Sequence, residues 1–61
     1  MAGTDAVIID EDQISAQLAA DLLTDRGLTS VISRSAVDGI LTLKKRTPRI
    51  AIVSLNLQGI T

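Results

Sequence analysis

The chain has 61 residues, of which 46% are hydrophobic and 21% charged, and its net charge at pH 7 is −1. That length holds at most one small domain, with the composition of a globular rather than a disordered chain. With no Cys and no His, disulfides, cysteine zinc sites, histidine metal ligands, an imidazole general base and phosphohistidine chemistry are excluded; with no Phe, Trp or Tyr, any core is aliphatic.

Ala6-Val7-Ile8-Ile9 is a continuous apolar run rich in β-branched residues, the pattern of a strand buried on both faces of a parallel sheet. It runs into three acids, Asp10-Glu11-Asp12. Helical spacing follows, with Ile14, Leu18 and Leu22 recurring at i, i+4 and i+8 and Ala19 and Leu23 widening the apolar stripe. Asp12 stands where an N-cap is wanted, and its carboxylate complements the positive end of the helix. Gly27, just past the last periodic residue, fits a left-handed C-cap.

A second strand is predicted over about Leu28 to Ser33, and its Ser and Thr content suits an edge position. Ser35-Ala36-Val37-Asp38 has the form of a capping box, with Asp in place of the usual Glu or Gln. Ala36, Ile40 and Leu43 then fall on one helical face. Gly39 in the helix interior costs about 1 kcal/mol against Ala; either a close helix–sheet approach or simple tolerance accounts for it. Lys44, Lys45 and Arg46 read as a solvated helix end, where cations suit the dipole. Pro48 stops the helix, because the residue before a proline resists the α region. Ile50-Ala51-Ile52-Val53 is the third strand, followed by Ser54-Leu55-Asn56-Leu57-Gln58-Gly59.

Strand and helix thus alternate as β1-α1-β2-α2-β3. Connections this short require right-handed crossovers. A parallel order 2-1-3 would put strands one and three side by side, so that their carboxyl ends bracket Asp10, Glu11 and Ser54. Open α/β sheets place their sites at that edge.

These residues resemble the first half of a bacterial response-regulator receiver domain. The resemblance rests on a strand ending in acids (Ile8-Ile9-Asp10-Glu11-Asp12), a helix closed by a glycine (Gln13 to Gly27), and a second helix ending in a proline that leads into strand three (Pro48). It also rests on Asn56 and Gly59 after the third strand, and it covers nearly the whole chain. It implies a truncated flavodoxin-like fold: the chain stops at Thr61, where a receiver continues through two more strands and three helices. Two departures matter. Ser54 corresponds to the family's phosphoacceptor aspartate, and Gln58 to the proline before the glycine. The family's switching hydroxyl and phosphoryl-coordinating lysine have no counterpart here.

A Ser hydroxyl is almost fully protonated at neutral pH, and no base in this sequence activates it. Ser54 is therefore not expected to be phosphorylated. Losing the carboxylate also removes one charge and one oxygen from the family's magnesium site. Asp10 and Glu11 would still hold a partly hydrated magnesium or calcium ion, weakly; the plainer reading of Asp10 is a solvated strand-end or helix-capping carboxylate. Asp10-Glu11-Asp12 also has the D-x-D form of haloacid-dehalogenase-like phosphatases. That signal is weak: those enzymes need a far longer chain, and Ile14 stands where a Thr is wanted. No catalytic residue is assigned, and no cofactor is required.

The resemblance implies a non-phosphorylatable signalling module working by protein–protein contact, with a histidine kinase, an output domain or another receiver as partner. Two alternatives stand beside it: a self-associating structural α/β fragment, and the start of a longer phosphorylation-independent transcriptional regulator. An apolar third strand at the sheet edge, exposing Ile50, Ile52 and Val53, invites pairing with another chain. A homo-oligomer through that edge, or through an exposed helix face, is expected. The net charge gives no electrostatic reason for nucleic-acid contact. No apolar run approaches the ~18 residues of a membrane span, and Met1-Ala2-Gly3-Thr4-Asp5 lacks the basic and hydrophobic parts of a signal peptide. A cytoplasmic location is the resulting expectation.

Overall fold

A computed structural model describes residues 4–54. Its elements are β1 (Ala6–Ile9), α1 (Gln13–Asp25), β2 (Ser30–Ser33), α2 (Ala36–Arg46) and β3 (Ile50–Val53). The three strands form one parallel sheet in the order β2-β1-β3. Ile8 lies between Ile32 and Ile52, and Ile9 between Ser33 and Val53. The predicted fold class holds: this is a flavodoxin-like α/β arrangement over its first three strands.

The period of a strand sends alternate side chains to opposite faces, and each face takes one helix. Ile8 packs with Ala16 and Ala20 of α1, joined by Ala19, Leu23 and Ile32. Val7 and Ile9 pack on the other side, against Ala36 and Leu43 of α2. All four β1 residues are buried, as the continuous apolar run predicts.

The helix ends follow the predicted chemistry. Asp12 is the N-cap of α1: its Oδ1 accepts the Ile14 N–H at 3.2 Å and its Oδ2 accepts the Ser15 hydroxyl at 2.7 Å. At the other end Gly27 takes φ +79°. Its N–H bonds to Thr24 O, and the Leu28 N–H bonds to Leu23 O, the paired bonds of a Schellman motif. Leu28 is thereby drawn into the helix terminus, so β2 starts at Ser30 and not at Leu28 as expected. Its edge position is as predicted. Ser35 Oγ accepts the Asp38 N–H at 3.1 Å, capping α2. The helix closes at Thr47, which sits in the left-handed region at φ 41° immediately before Pro48.

Two expectations about helix faces need correction. Ile14, Leu18 and Leu22 do not pack on the sheet; they are 60 to 72% exposed. The small side chains of Ala16 and Ala20 face inward instead and bring α1 close to Ile8. Likewise Ile40 points outward while Gly39, its neighbour, is buried. A Cβ built on Gly39 would stand 2.5 Å from Ile9 Cδ1 and 2.9 Å from Ile9 Cγ2. Close approach, not tolerance, accounts for this glycine, and that approach turns Ile40 away from the sheet.

Candidate functional site

The carboxyl ends of β1 and β3 meet as the strand order requires. The Asp10 N–H bonds to Ser33 O at 3.0 Å, and the Ser54 N–H bonds to Ile9 O at 2.9 Å. These two bonds carry the parallel pairing one residue past the strands on either side of β1. Residues 10 and 54 are thus fixed next to each other by backbone, before any side chain acts.

Around them opens a cleft of about 360 Å³ lined by Asp10, Glu11, Asp12, Ser15 and Ser54. The three candidate site residues, Asp10, Glu11 and Ser54, are therefore brought together. Asp10 Oδ1 accepts the Asp12 N–H at 2.9 Å, which folds the acidic turn back on itself and leads the chain into α1. Asp12 is committed to capping. Donation from the Ser15 hydroxyl, then from the Ile14 and Ser15 N–H groups, holds its carboxyl below the usual carboxylate range against a small opposing effect of desolvation.

That commitment decides what the cleft can offer a cation. Magnesium is bound by oxygen donors, commonly one or two carboxylates with the remaining positions kept by water. With Asp12 engaged by α1, the anionic donors beside Ser54 are Asp10 and Glu11, and Ser54 adds a neutral hydroxyl. Among the described residues no group of three or more Asp, Glu, His or Cys side chains converges. Two carboxylates and a hydroxyl are what the cleft brings together, in place of the three-carboxylate set that the family resemblance implies.

The sequence reading passed over Ser15, whose hydroxyl forms part of the cleft wall. The spacing D-x-x-S from Asp12 was the available signal, because an N-cap carboxylate reaches side chains one turn ahead. It also passed over a clasp at the opposite end of the sheet. Asp5 Oδ2 accepts the Thr29 N–H at 2.8 Å and the Thr29 hydroxyl at 3.2 Å, while the Asp5 N–H donates to Thr29 Oγ1 at 3.1 Å. Asp5 O meanwhile accepts the N–H groups of Arg49 and Ile50, each at 3.1 Å. One residue therefore ties the start of all three strands together. Backbone and hydroxyl donation from Thr29, with a smaller attraction from Arg49, lowers the Asp5 pKa against slight desolvation.

The expected interface residues lie on β3. Ile50, Ile52 and Val53 are 37 to 43% exposed, and no Cα atom of either helix comes within 8 Å of one in the strand. Asn56, Gln58 and Gly59, which carry the last part of the receiver resemblance, lie outside the described residues. No helix among the described residues is long and apolar enough to cross a membrane. No protein-family model matches the chain, and neither the curated proteins nor the solved structures contain a match to it.

Proposed function

We propose that this chain is a receiver-like signalling module that cannot be phosphorylated and acts through protein–protein contact, without catalysis. A histidine kinase, an output domain or another receiver-like module is the kind of partner this reading assigns. One observation carries it. Ser54 stands at the end of β3, beside Asp10 and Glu11, where the resemblance puts a phosphate-accepting aspartate. On this reading the acidic pair and the third-strand terminus keep the receiver register while a hydroxyl stands in place of the nucleophile.

The replacement has two chemical consequences. A neutral Ser hydroxyl is a far poorer nucleophile toward phosphorus than the carboxylate it replaces. The charge near residue 54 also falls by one, which weakens any hydrated magnesium ion on Asp10 and Glu11. Both are measurable on the same sample. Incubation with acetyl phosphate and magnesium leaves the intact mass unchanged if the reading holds; a phosphoryl group on Ser54 refutes it. Ser54→Asp restores a third carboxylate, and magnesium affinity by calorimetry should rise about tenfold, the equivalent of one ~1.4 kcal/mol step. An unchanged affinity would mean that Asp10 and Glu11 do not act together with residue 54.

A further inference from the structure

The connection from α2 to β3 is Thr47-Pro48-Arg49, and the backbone is strained there. Thr47 is the one non-glycine residue with positive φ among the described residues, at φ 41° and ψ 60°. A β-branched side chain crowds the backbone in the left-handed region, so its presence there is a true outlier. The next residue adds to the conflict, because Pro48 pushes Thr47 towards extended backbone. Pro48 also locks its own φ at a value shared by an extended, polyproline-type chain. The local preference of Thr47-Pro48 is therefore a straight connection. The fold instead closes it into a reversal, since α2 runs antiparallel to the strands and β3 must turn back to lie parallel to β1. Bonds at each end hold the turn shut: the Thr47 N–H to Leu43 O at 3.0 Å, and the Arg49 and Ile50 N–H groups to Asp5 O at 3.1 Å.

The strand beyond that turn has the fewest ties in the molecule. β3 pairs with β1 alone, and both helices stop short of it. No β3 residue belongs to either core cluster. With β3 lifted away, β1 still has β2 beside it, α1 on one face and α2 on the other. β3 can thus leave without unpacking a helix.

We propose that the chain exchanges β3 with a second copy through the Thr47-Pro48-Arg49 hinge, so that the candidate site is completed in trans. The hinge opens, and each β3 lies on its partner's β1 in the register seen within one chain, Val7 beside Ala51 and Ile9 beside Val53. Occupant and register are thereby both given by the structure; side-by-side pairing of two exposed β3 edges has no such template. Exchange remakes the whole β1–β3 pairing and releases Thr47 from the left-handed region in both chains. Short hinges under strain favour this route, and a reciprocal exchange closes at the dimer. The Ser54 N–H bonds to Ile9 O at the end of that pairing. Exchange therefore carries Ser54 of one chain to Asp10 and Glu11 of the other, and the cleft is built from two chains. This assignment does not rest on the receiver resemblance, and its test reads strand connectivity instead of phosphorylation or magnesium binding.

Cross-linking between isotope-mixed chains tests the exchange. Val7→Cys with Ala51→Cys places thiols on two register neighbours. Paired strands about 4.8 Å apart lie within disulfide reach, and the natural chain has no Cys to compete. Equal amounts of isotope-labelled and unlabelled double variant are unfolded together, refolded at millimolar concentration and separated by size, and the dimer fraction is oxidised and digested. About half of the peptide pairs linked from position 7 to position 51 should join a labelled to an unlabelled peptide. Thr47→Gly removes the strain from the closed chain and should lower the dimer association constant at least about tenfold. Far-UV circular dichroism checks the fold, with Ala6→Cys and Ile50→Cys as the replacement pair if the first loses structure. A chain that refolds only as a monomer, a dimer whose linked peptides always share one label, or a Thr47→Gly chain that dimerises as readily as the wild type would each overturn the proposal.

Discussion

β1 and β3 are neighbours of identical composition and opposite fate. Ala6-Val7-Ile8-Ile9 and Ile50-Ala51-Ile52-Val53 are both four-residue apolar runs, paired in register in one parallel sheet. β1 is buried along its whole length, and β3 is exposed along its whole length. Hydrophobicity cannot be the cause, because it is the same in both. What differs is position: β1 is flanked by a strand on each side and roofed on each face by a helix, whereas α1 and α2 both settle over β1 and β2 and stop short of β3. A strand's apolar pattern states that it will pair; which elements roof it is decided by the reach of the helices on either side.

The largest predicted effect tests that difference directly. Ile8 and Ile52 are direct neighbours in the register, at 1% and 37% exposure. Ile8→Ala opens a cavity between the sheet and Ala16 and should cost about 2–5 kcal/mol. That is most or all of the stability available to a domain of this size. Ile52→Ala removes a partly exposed side chain and should cost no more than about 1 kcal/mol. Urea unfolding of the two variants measures both. Equal losses would mean that β3 is covered in solution and that its exposure does not describe the protein at working concentration.

A smaller effect sharpens what holds α2 over β1. Gly39→Ala gains helix propensity worth about 1 kcal/mol but drives a methyl into Ile9, where overpacking costs about 1–3 kcal/mol. Net destabilisation is expected, measured as a lower urea midpoint at unchanged slope. Ile9→Val removes the Cδ1 atom that stands closest to the added methyl, so the double variant should lose less than the sum of the two single ones. A stabilised Gly39→Ala chain would show that α2 has room to rise from the sheet.

Much of this architecture was legible in the chain because the signals are local. Asp12 and Ser35 announce helix starts through their own side-chain oxygens, Gly27 announces a left-handed exit, and the apolar runs at 6–9 and 50–53 announce strands. Right-handed crossovers are compatible with the order 2-1-3 but do not select it alone; that order came with the flavodoxin-like reading, and with it the meeting of Asp10, Glu11 and Ser54. The facing of the helices was not legible. On α1, both the stripe through Ile14, Leu18 and Leu22 and the stripe through Ala16 and Ala20 satisfy a period of 3.6 residues. Hydrophobicity favours the first, but the closeness of approach to Ile8 selects the second. On α2, Gly39 could be read as contact or tolerance until Ile9 was seen beneath it. The Asp5–Thr29 clasp joins residues 24 apart in sequence, and no local pattern marks such a pair.

The smallest predicted effect separates the two ends of the sheet by pH. With no His in the chain, stability should be nearly flat around neutrality and change only where carboxylates titrate. Asp12 at the carboxyl edge and Asp5 at the amino edge both have pKa values lowered from 3.8 by donors present only in the fold. A lowered folded pKa means that the folded state releases its proton more readily than the unfolded one. Both contributions are therefore fully present above the unfolded value and are lost as pH falls from that value through the lower folded ones. Both carboxylates are exposed to solvent, so the effect is modest and shrinks with salt. Thermal melts between pH 6 and pH 2.5 should show Tm falling in that acid window. Asp12→Asn keeps an N-cap oxygen while removing the charge, and Asp5→Asn keeps an acceptor for the Thr29 N–H. Each should flatten part of the acid slope, and the double variant more than either. A slope that survives both substitutions would place the acid sensitivity in other carboxylates. The clasp and the cap would then be hydrogen-bonding devices whose charge is incidental.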